Sequence, residues 1–293
     1  MVRVALVTCA EFPQLSEDDR LLWKALQSRG VRAEPVVWDA ADATWDDYEL
    51  ALLRSPWDYV PRRAEFIAWA RSVPALANPA DVVAWNTDKR YLDDLVAAGV
   101  PTVPTAWVAP DQEWDVPDTG RWVIKPAVSV GSVDAGRYDV ADSAERRLAV
   151  EHVRRLQRAN RLAMVQPYLP AVDTAGETGV VFVTGGEDIV HSHAIRKSAL
   201  LDGPDPGTGG LYRVSPVDAR DAGDAEVRVA EQALAAVPSG RDRLLYARVD
   251  LIADEDGTPL VLELELTEPN LFFGLGPGAA ERMAAGLAAR LRG

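Results

Sequence analysis

Four ionisable residues in the last fifth of the chain have a spacing that brings them onto one surface. In YARVDLIADEDGTPLVLELELTEPN (Tyr246–Asn270) the dipeptide Asp256-Gly257 is the favoured two-residue hairpin turn. Centring the turn there sets Asp250 opposite Glu263 and Arg248 opposite Glu265. Strand side chains alternate with period two, so all four share a face, and Val249, Leu251, Leu262 and Leu264 take the other. An amphipathic hairpin with a solvated polar face has the same alternation. Three carboxylates around one arginine repel across a strand pair, however. Mg2+, a hard cation that binds one or two carboxylates together with substrate phosphates, would relieve the crowding.

A second segment, RWVIKPAVSVGS (Arg121–Ser132), delivers Lys125 at the end of an apolar run, ahead of a loop with Ser129, Gly131 and Ser132. Backbone N–H groups and hydroxyls in such a loop wrap phosphate oxygens while the lysine adds charge. A surface loop beside a lysine reaching into solvent reads the same way. It is not a P-loop, because the chain has no Gly-Lys pair. Lysine itself is informative: there are four, Lys24, Lys89, Lys125 and Lys197, against 27 arginines. Scarce Asn and Ile with abundant Ala indicate GC-rich coding, which drifts lysine to arginine wherever either serves. Retained lysines then mark sites that need a compact, flexible ammonium rather than a planar fork; Lys24, on an evident surface helix, is the exception. In MVQPYLPAVDTAGETGVVFV, a strand ending Gln166-Pro167-Tyr168-Leu169 precedes Gly176-Glu177. This is either an ordinary interdomain linker or a hinge that offers backbone groups to a flat base and Glu177 to a ribose. Gly274, Gly276 and Gly278 imitate a dinucleotide fingerprint but lack a following strand and acid, and read as a loop and helix start. His191 and His193 share a strand face without a third ligand, so polar roles beside the site are expected in place of zinc.

The elements that carry these residues alternate at first. Arg3–Thr8, Ala33–Trp38 and Glu49–Arg54 read as strands, and helices are expected from the Ser16 cap to about Arg29, closed by Gly30, and over Arg62–Ser72. Such alternation implies βαβ units on a parallel sheet. The turn after the first strand, TCAEFPQ, has no glycine for a dinucleotide. Past Asn78-Pro79 a capped helix is expected over Thr87–Ala98. Strands follow at Thr105–Val108, Arg121–Lys125 and Ala163–Gln166, with a helix near Ser143–Gln157. The remainder reads as a mixed or antiparallel sheet, Gly179–Thr184, Asp188–Arg196, Tyr246–Ile252 and Leu260–Leu266, closed by a helix over Ala279–Leu291. The Gly/Pro/Asp segment Leu201–Gly210 interrupts it, and loops of that length are commonly lids or disordered insertions.

The chain has 293 residues, enough for about two domains. With 48% hydrophobic and 26% charged residues it builds a sizeable core, which excludes disordered and low-complexity classes. A net charge of −14 leaves no basic face for nucleic acid or an anionic membrane. The single cysteine, Cys9, cannot form an internal disulfide, which fits a reducing cytoplasm. The first apolar run is short for a signal peptide. A homo-oligomer is compatible with all of this.

The order of motifs resembles the ATP-grasp superfamily, within it the glutathione synthetase and D-alanine–D-alanine ligase branch. LLRSPWDY (Leu52–Tyr59) is similar to a first-domain segment of bacterial glutathione synthetases, and WNTDKRYL to the segment carrying the first ATP lysine, here Lys89. VIKPAVSVGS resembles the strand and phosphate loop of the second ATP lysine, Lys125. VQPYLP…GE resembles the hinge and ribose acid, Gln166, Tyr168, Leu169 and Glu177. GGLYR (Gly209–Arg213) stands where those enzymes have a glycine-rich segment ending in arginine. RVD and ELE match the metal motif, with Glu265 where Asn is usual and with fewer glycines in the phosphate loop. RSPWDY, WNTDKRYL and KPAVSVGS are most similar to the O-ureido-D-serine cyclo-ligases of D-cycloserine biosynthesis.

The resemblance implies an α/β and α+β ATP-grasp fold. A Rossmann-like domain would span 1–85, a linker helix and small lid 86–168, and the larger ATP-grasp domain 169–293. It implies Mg2+ on Asp250, Glu263 and Glu265, and ATP held by Lys89, Lys125, Ser129, Gly131, Ser132, Gln166, Tyr168, Leu169 and Glu177. Arg248 would stabilise an oxyanion, and Arg54, Asp58, Lys197 and Arg213 would grip an amino acid. The implied reaction is carboxylate–amine ligation through an acylphosphate, with ring closure inside one molecule. An intermolecular ligase and a non-catalytic ATP sensor are the alternatives, and the full set of lysines, carboxylates and Arg248 speaks against the sensor.

Overall fold

Parallel pairing organises the first third of the chain. The computed structural model describes residues 2–205, 207, 210–213, 215–238 and 240–292. Strand β1 (Arg3–Thr8), apolar and almost wholly buried, lies between β2 (Arg32–Val37) and β3 (Leu50–Ser55), and β4 (Leu76–Ala77) completes the order β2-β1-β3-β4. Helices α1 (Asp19–Gln27) and α2 (Arg63–Ser72) make the crossovers that parallel strands require. The Ser16 hydroxyl accepts from the Asp19 amide at the start of α1, and Gly30 closes the turn behind it at φ +75°.

Where one capped helix was expected over Thr87–Ala98, there are two short ones, α3 (Ala80–Asn86) and α4 (Tyr91–Ala97). Thr87 caps the end of α3 instead of opening α4. Its hydroxyl donates back to the Val83 carbonyl at 2.8 Å, a local bond that threonine makes readily. The break leaves Lys89 in the turn between the helices, its amide bonded to the Ala127 carbonyl at 2.9 Å.

The second sheet is antiparallel: β5 (Ala106–Val108), β6 (Arg121–Pro126), β7 (Gly136–Asp139) and β8 (Ala163–Pro167), in the order β5-β8-β6-β7. Helix α5 (Ser143–Arg158) covers it with Ala149, His152, Val153 and Leu156, one helical stripe, after an Asp142 N-cap. His152 is buried; burial lowers its pKa from an ordinary 6.5 to about 4. The Asp205 amide donates to Tyr138 Oη, and the phenol and His152 Nδ1 share a hydrogen bond at 2.8 Å.

After α6 (Ala171–Ala175), the largest sheet has the antiparallel order β11-β10-β9-β12-β13. Its strands are β9 (Glu177–Thr184), β10 (Ile189–Lys197), β11 (Val217–Arg220), β12 (Tyr246–Ala253) and β13 (Pro259–Glu265). Helices α7 (Asp224–Ala235) and α4 cover one face. The other face shares a core with the parallel sheet, and α8 (Ala279–Arg290) joins that core through Met283, Ala284 and Leu287. The short polar strands β7 and β11 carry too little apolar periodicity to be read beforehand, whereas α7, absent from the sequence reading, has Val229, Ala230, Ala233 and Leu234 on one helical stripe. Pro206, Thr208 and Gly209 of the expected lid and glycine-rich segment lie outside the described residues. No helix among the described residues is long and apolar enough to cross a membrane.

The β12–β13 pairing places Asp250 beside Glu263 and Arg248 beside Glu265, as the turn-centred register requires, but by a different route. The connection is longer than a two-residue turn: Asp254 Oδ1 accepts from the Asp256 and Thr258 amides. Leu251 therefore pairs with Val261, and a bulge restores the register before Glu263. Val261, not Leu262, joins Val249, Leu251 and Leu264 in the core, while Leu262 packs against the cluster containing Ile252 and Tyr168.

Asn78 joins the parallel sheet to the large one. Fully buried, it donates to the Tyr246 and Leu266 carbonyls at 3.0 and 2.7 Å and accepts from the Leu245 amide at 2.8 Å. Asn78→Leu strands three buried backbone groups and is expected to cost about 3 kcal/mol or more, read as a lower urea midpoint. A separate expectation concerns acid. Because His152 is held neutral, the stability it confers is complete above pH 6.5 and lost as pH falls toward 4, by about 3 kcal/mol at the limit. The urea midpoint of the wild type should drop further between pH 7 and pH 4.5 than that of His152→Gln.

Candidate active site

Three of the four lysines line one cavity of about 530 Å3, while Lys24 lies exposed on α1. Lys125 comes from the end of β6, Lys197 from the end of β10 and Lys89 from the turn before α4. Glu263 lies between two of them: Lys89 Nζ is 3.1 Å from Oε1 and Lys125 Nζ 3.9 Å from Oε2. Burial would raise the Glu263 carboxyl, yet Lys89 and Lys125 hold it below its ordinary range. Burial lowers Lys125, with Glu263 opposing. Lys89 also donates to the Ser129 carbonyl at 2.8 Å and hydroxyl at 3.1 Å, which ties the loop after β6 to the cavity.

On the next hairpin positions, Arg248 clasps Asp250, Nε to Oδ1 at 2.8 Å and Nη2 to Oδ2 at 3.0 Å, and its Nη2 also bonds Glu265. Its Nη1 donates to the Asn270 carbonyl at 2.6 Å. Lys197 bridges Asp250 at 2.7 Å and Glu177 at 2.8 Å. Against its own burial, Asp250 is held well below the carboxylate range by Arg248 and Lys197. Burial pushes Glu265 up to about 7, with Asp250 and Glu263 adding to the push and Arg248 opposing it. Burial, with Glu265 nearby, raises Glu268 to about 8.

The loop Ala127–Ala135 approaches the segment Leu211–Arg213 so closely that a side chain at Gly131 is excluded. A Cβ there would lie 2.2 Å from Tyr212 Cβ, at a φ of +60°. The Arg213 amide donates to the Gly131 carbonyl at 2.8 Å. Ser129, Gly131, Ser132, Arg213 and Glu177 all line the cavity.

Other expected residues lie elsewhere. Arg54 lies outside the cavity lining: it is fully buried, paired with Asp19 at 2.9 Å, donating to the Pro269 carbonyl at 2.8 Å and lying over the Tyr246 ring. Asp58 is held by Trp38 Nε1 at 2.8 Å and by Arg62 at 3.1 Å, outside the cavity lining. Asp250 is 1% exposed and also absent from the lining, its oxygens taken by Arg248 and Lys197. Gln166 bonds Thr105, and Tyr168 and Leu169 pack with Val103 and Val172. Sequence reasoning missed Glu268, Trp57, Tyr59, Phe12 and Tyr212, which do line the cavity. The signal for three of these stood in RSPWDY and ELTEPN, where the charged residues nearest the strand drew attention away from the aromatic pair and from the later glutamate.

Three sheets in this arrangement, with lysines and carboxylates gathered in a shared cavity, define an ATP-grasp fold. The RimK domain ATP-grasp protein from Sphaerobacter thermophilus superposes over the whole of both chains with a TM-score of 0.65 at 19% identity. Residues 4–80 match the family described as D-cycloserine synthetase DcsG, N-terminal domain. The chain is 38% identical to the cycloserine biosynthesis protein DcsG of Streptomyces lavendulae, covering 99% of each. It is 36% identical to the D-cycloserine synthetase DcsG of a crystal structure, with a TM-score of 0.86 and 99% of both chains covered. The chain belongs to the DcsG family of ATP-grasp enzymes, ADP-forming ligases that make C–N bonds.

Lys125→Arg should weaken binding of a non-hydrolysable ATP analogue by about tenfold or more, because a planar fork does not fit beside Lys89 and Glu263 where an ammonium does. Titration calorimetry reads this directly, and wild-type affinity in the variant would refute the argument.

Proposed function

We propose that this chain closes O-ureido-D-serine to D-cycloserine, with ATP converted to ADP and phosphate. The observation that supports this best is the meeting of Lys89, Lys125, Lys197 and Arg248 with Glu263 and Glu265 in one cavity of a chain that matches DcsG over 99% of both sequences. In this reading residues 1–85, 86–168 and 169–293 act as first domain, lid and ATP-grasp domain. Lys89, Lys125 and the loop with Ser129, Gly131 and Ser132 take the phosphates. The backbone of Gln166–Leu169 borders the base, and Glu177 Oε1, which Lys197 leaves open, meets the ribose.

The donor set facing the cavity fits Mg2+. Glu263 and Glu265 stand on one strand face with about a quarter of each side chain exposed. Among the described residues no group of three or more His, Cys, Asp and Glu side chains forms a metal site alone, and Mg2+ takes one or two carboxylates plus phosphate oxygens and water. Glu263 and Glu265 would hold the ion, which when bound neutralises charge on the phosphates. Asp250 orients Arg248 and Lys197.

The substrate carboxylate, ionised at neutral pH, attacks the γ-phosphorus; ADP leaves and an acylphosphate remains. Lys89 and Lys125 offset the charge on the transferring group. The nitrogen bonded to the side-chain oxygen then attacks the acyl carbon, Arg248 donates to the tetrahedral oxygen, and phosphate departs. The carbamoyl group leaves that nitrogen and takes up water to give carbon dioxide and ammonia. Lys197 and Arg213 are the cavity cations left to orient the amino acid. Tethering is effective here, since intramolecular attack is worth an effective molarity of ~10⁵ M or more.

Incubation with O-ureido-D-serine and Mg-ATP should release ADP and yield D-cycloserine, identified by mass, with no added amine. ADP release only after a second amine is supplied would favour an intermolecular ligase, and none with any amino acid a nucleotide sensor. Glu263→Gln should raise the Mg2+ concentration for half-maximal rate and cut turnover by about tenfold or more, and should lower thermal stability without metal, because Lys89 and Lys125 lose the carboxylate between them.

A further inference from the structure

We propose that Glu268 receives the ammonium group of the amino-acid substrate and thereby selects amino acids over plain carboxylic acids, an inference that rests on the ring-closure reading above. The carboxylates on the strands at the cavity each lie within salt-bridge distance of a cation. Glu177 has Lys197 at 2.8 Å, Glu263 has Lys89 at 3.1 Å, and Glu265 has Arg248. Glu268, three residues beyond Glu265 and lining the same cavity, has no cationic side chain within salt-bridge distance among the described residues. Among the described residues its one side-chain hydrogen bond is from Tyr59 Oη to Oε1 at 2.9 Å, which leaves Oε2 without a partner among them.

The surroundings of Glu268 suit a cation. Tyr59 is 2% exposed and stacked on Phe66 at 4.6 Å, so the phenol is a fixed donor that aims the carboxylate. Trp57 Nε1 donates to the Glu268 carbonyl at 3.0 Å. The Trp57 ring meets Phe12 edge-on at 5.1 Å and Tyr212 at 5.3 Å, and all three rings line the cavity. A carboxyl oxygen beside aromatic rings binds an ammonium through a charge-assisted hydrogen bond and the ring quadrupoles, and the arriving cation offsets the burial that otherwise raises Glu268 to about 8, so that the carboxyl ionises as the ammonium binds. Geometry along the chain agrees. Arg248, which meets the acyl oxygen in the proposed reaction, is anchored on the carbonyl of Asn270, two residues past Glu268. An α-amino acid carries its carboxyl and ammonium groups on one carbon, and this short segment carries one partner for each. Of the two other acidic residues at the cavity, Glu17 pairs with Arg20 at 3.8 Å, while Asp18 accepts from the Gly274 amide at 3.1 Å through Oδ1 and keeps an unpartnered Oδ2 that is buried out of a ligand's reach, unlike the half-buried Glu268.

The test is equilibrium binding by calorimetry with Mg2+ and a non-hydrolysable ATP analogue present. O-Ureido-D-serine and its counterpart lacking the amino group, 3-(ureidooxy)propanoate, are titrated into wild type, Glu268→Gln and Tyr59→Phe. Wild type should prefer the amino acid by about tenfold or more. Glu268→Gln should lose that preference, its affinity for the deaminated acid staying within about twofold of wild type. Tyr59→Phe should move the same way by less, since it acts only by positioning Glu268. Absence of a preference in wild type, an unchanged preference in Glu268→Gln, or an equal loss for both ligands would overturn the proposal. If Glu268→Gln also fails to bind the analogue, Glu268→Asp, which keeps the charge, must retain the preference, and its loss there overturns the proposal too. Ring formation measured alongside separates the two readings. A preference that depends on Glu268 without any ring refutes the ring closure alone, and ring formation with an unchanged KM in Glu268→Gln refutes the ammonium site alone.

Discussion

Charge neutralisation within a buried hairpin face governs this molecule. Asp250 is 1% exposed and survives as a carboxylate because Arg248 and Lys197 bond both of its oxygens. An isolated charge at that depth would cost several kcal/mol. The neighbouring carboxylates follow one rule: each cation satisfies one of them and leans on the next, so Arg248 is shared by Asp250 and Glu265 and Lys197 by Asp250 and Glu177. The cluster is therefore a unit. Removal of one member leaves another stranded, and the position of every polar group at the cavity depends on strand registers that hold them in step. The β-bulge between the hairpin turn and Glu263 belongs to that requirement, because without it Glu263 would point to the other face of the sheet.

Aromatic side chains line the same cavity. Trp57, Tyr59 and Phe12 come from the parallel sheet's loops, Tyr212 from the segment that packs on Gly131. The loops of the parallel sheet thus contribute aromatic surface, while the antiparallel sheets and the turn before α4 contribute charge. For a reaction that passes through an acylphosphate, both are needed, since water competes with the ring nitrogen for the same carbon.

Much of this was legible in the sequence. Lysine scarcity pointed to Lys89, Lys125 and Lys197, and alternation along Arg248–Asp250 and Glu263–Glu265 gave their facing pairs, because period and composition are local properties. What failed was tertiary. Arg54 sits in a motif that looks like a ligand-binding loop, yet its guanidinium is spent on Asp19 and the Pro269 carbonyl, partners 35 and 215 residues away. The Thr87 helix start failed because a threonine hydroxyl can bond forward as an N-cap or back to the preceding turn, and only the Asn86 contacts with Leu264 and Leu266 settle which. Glu268 and Tyr59 went unremarked because their meeting joins positions 209 apart.

The packing of α8 against α1 has a consequence for biogenesis. Met283 and Leu287 fill the same core as Leu6, Leu22 and Leu26, so β1 and α1 are completed by a helix far along the sequence. A nascent chain leaving the ribosome therefore holds one face of its parallel sheet open until α8 has been translated. A chaperone that shields apolar sheet surface has that interval in which to act on it.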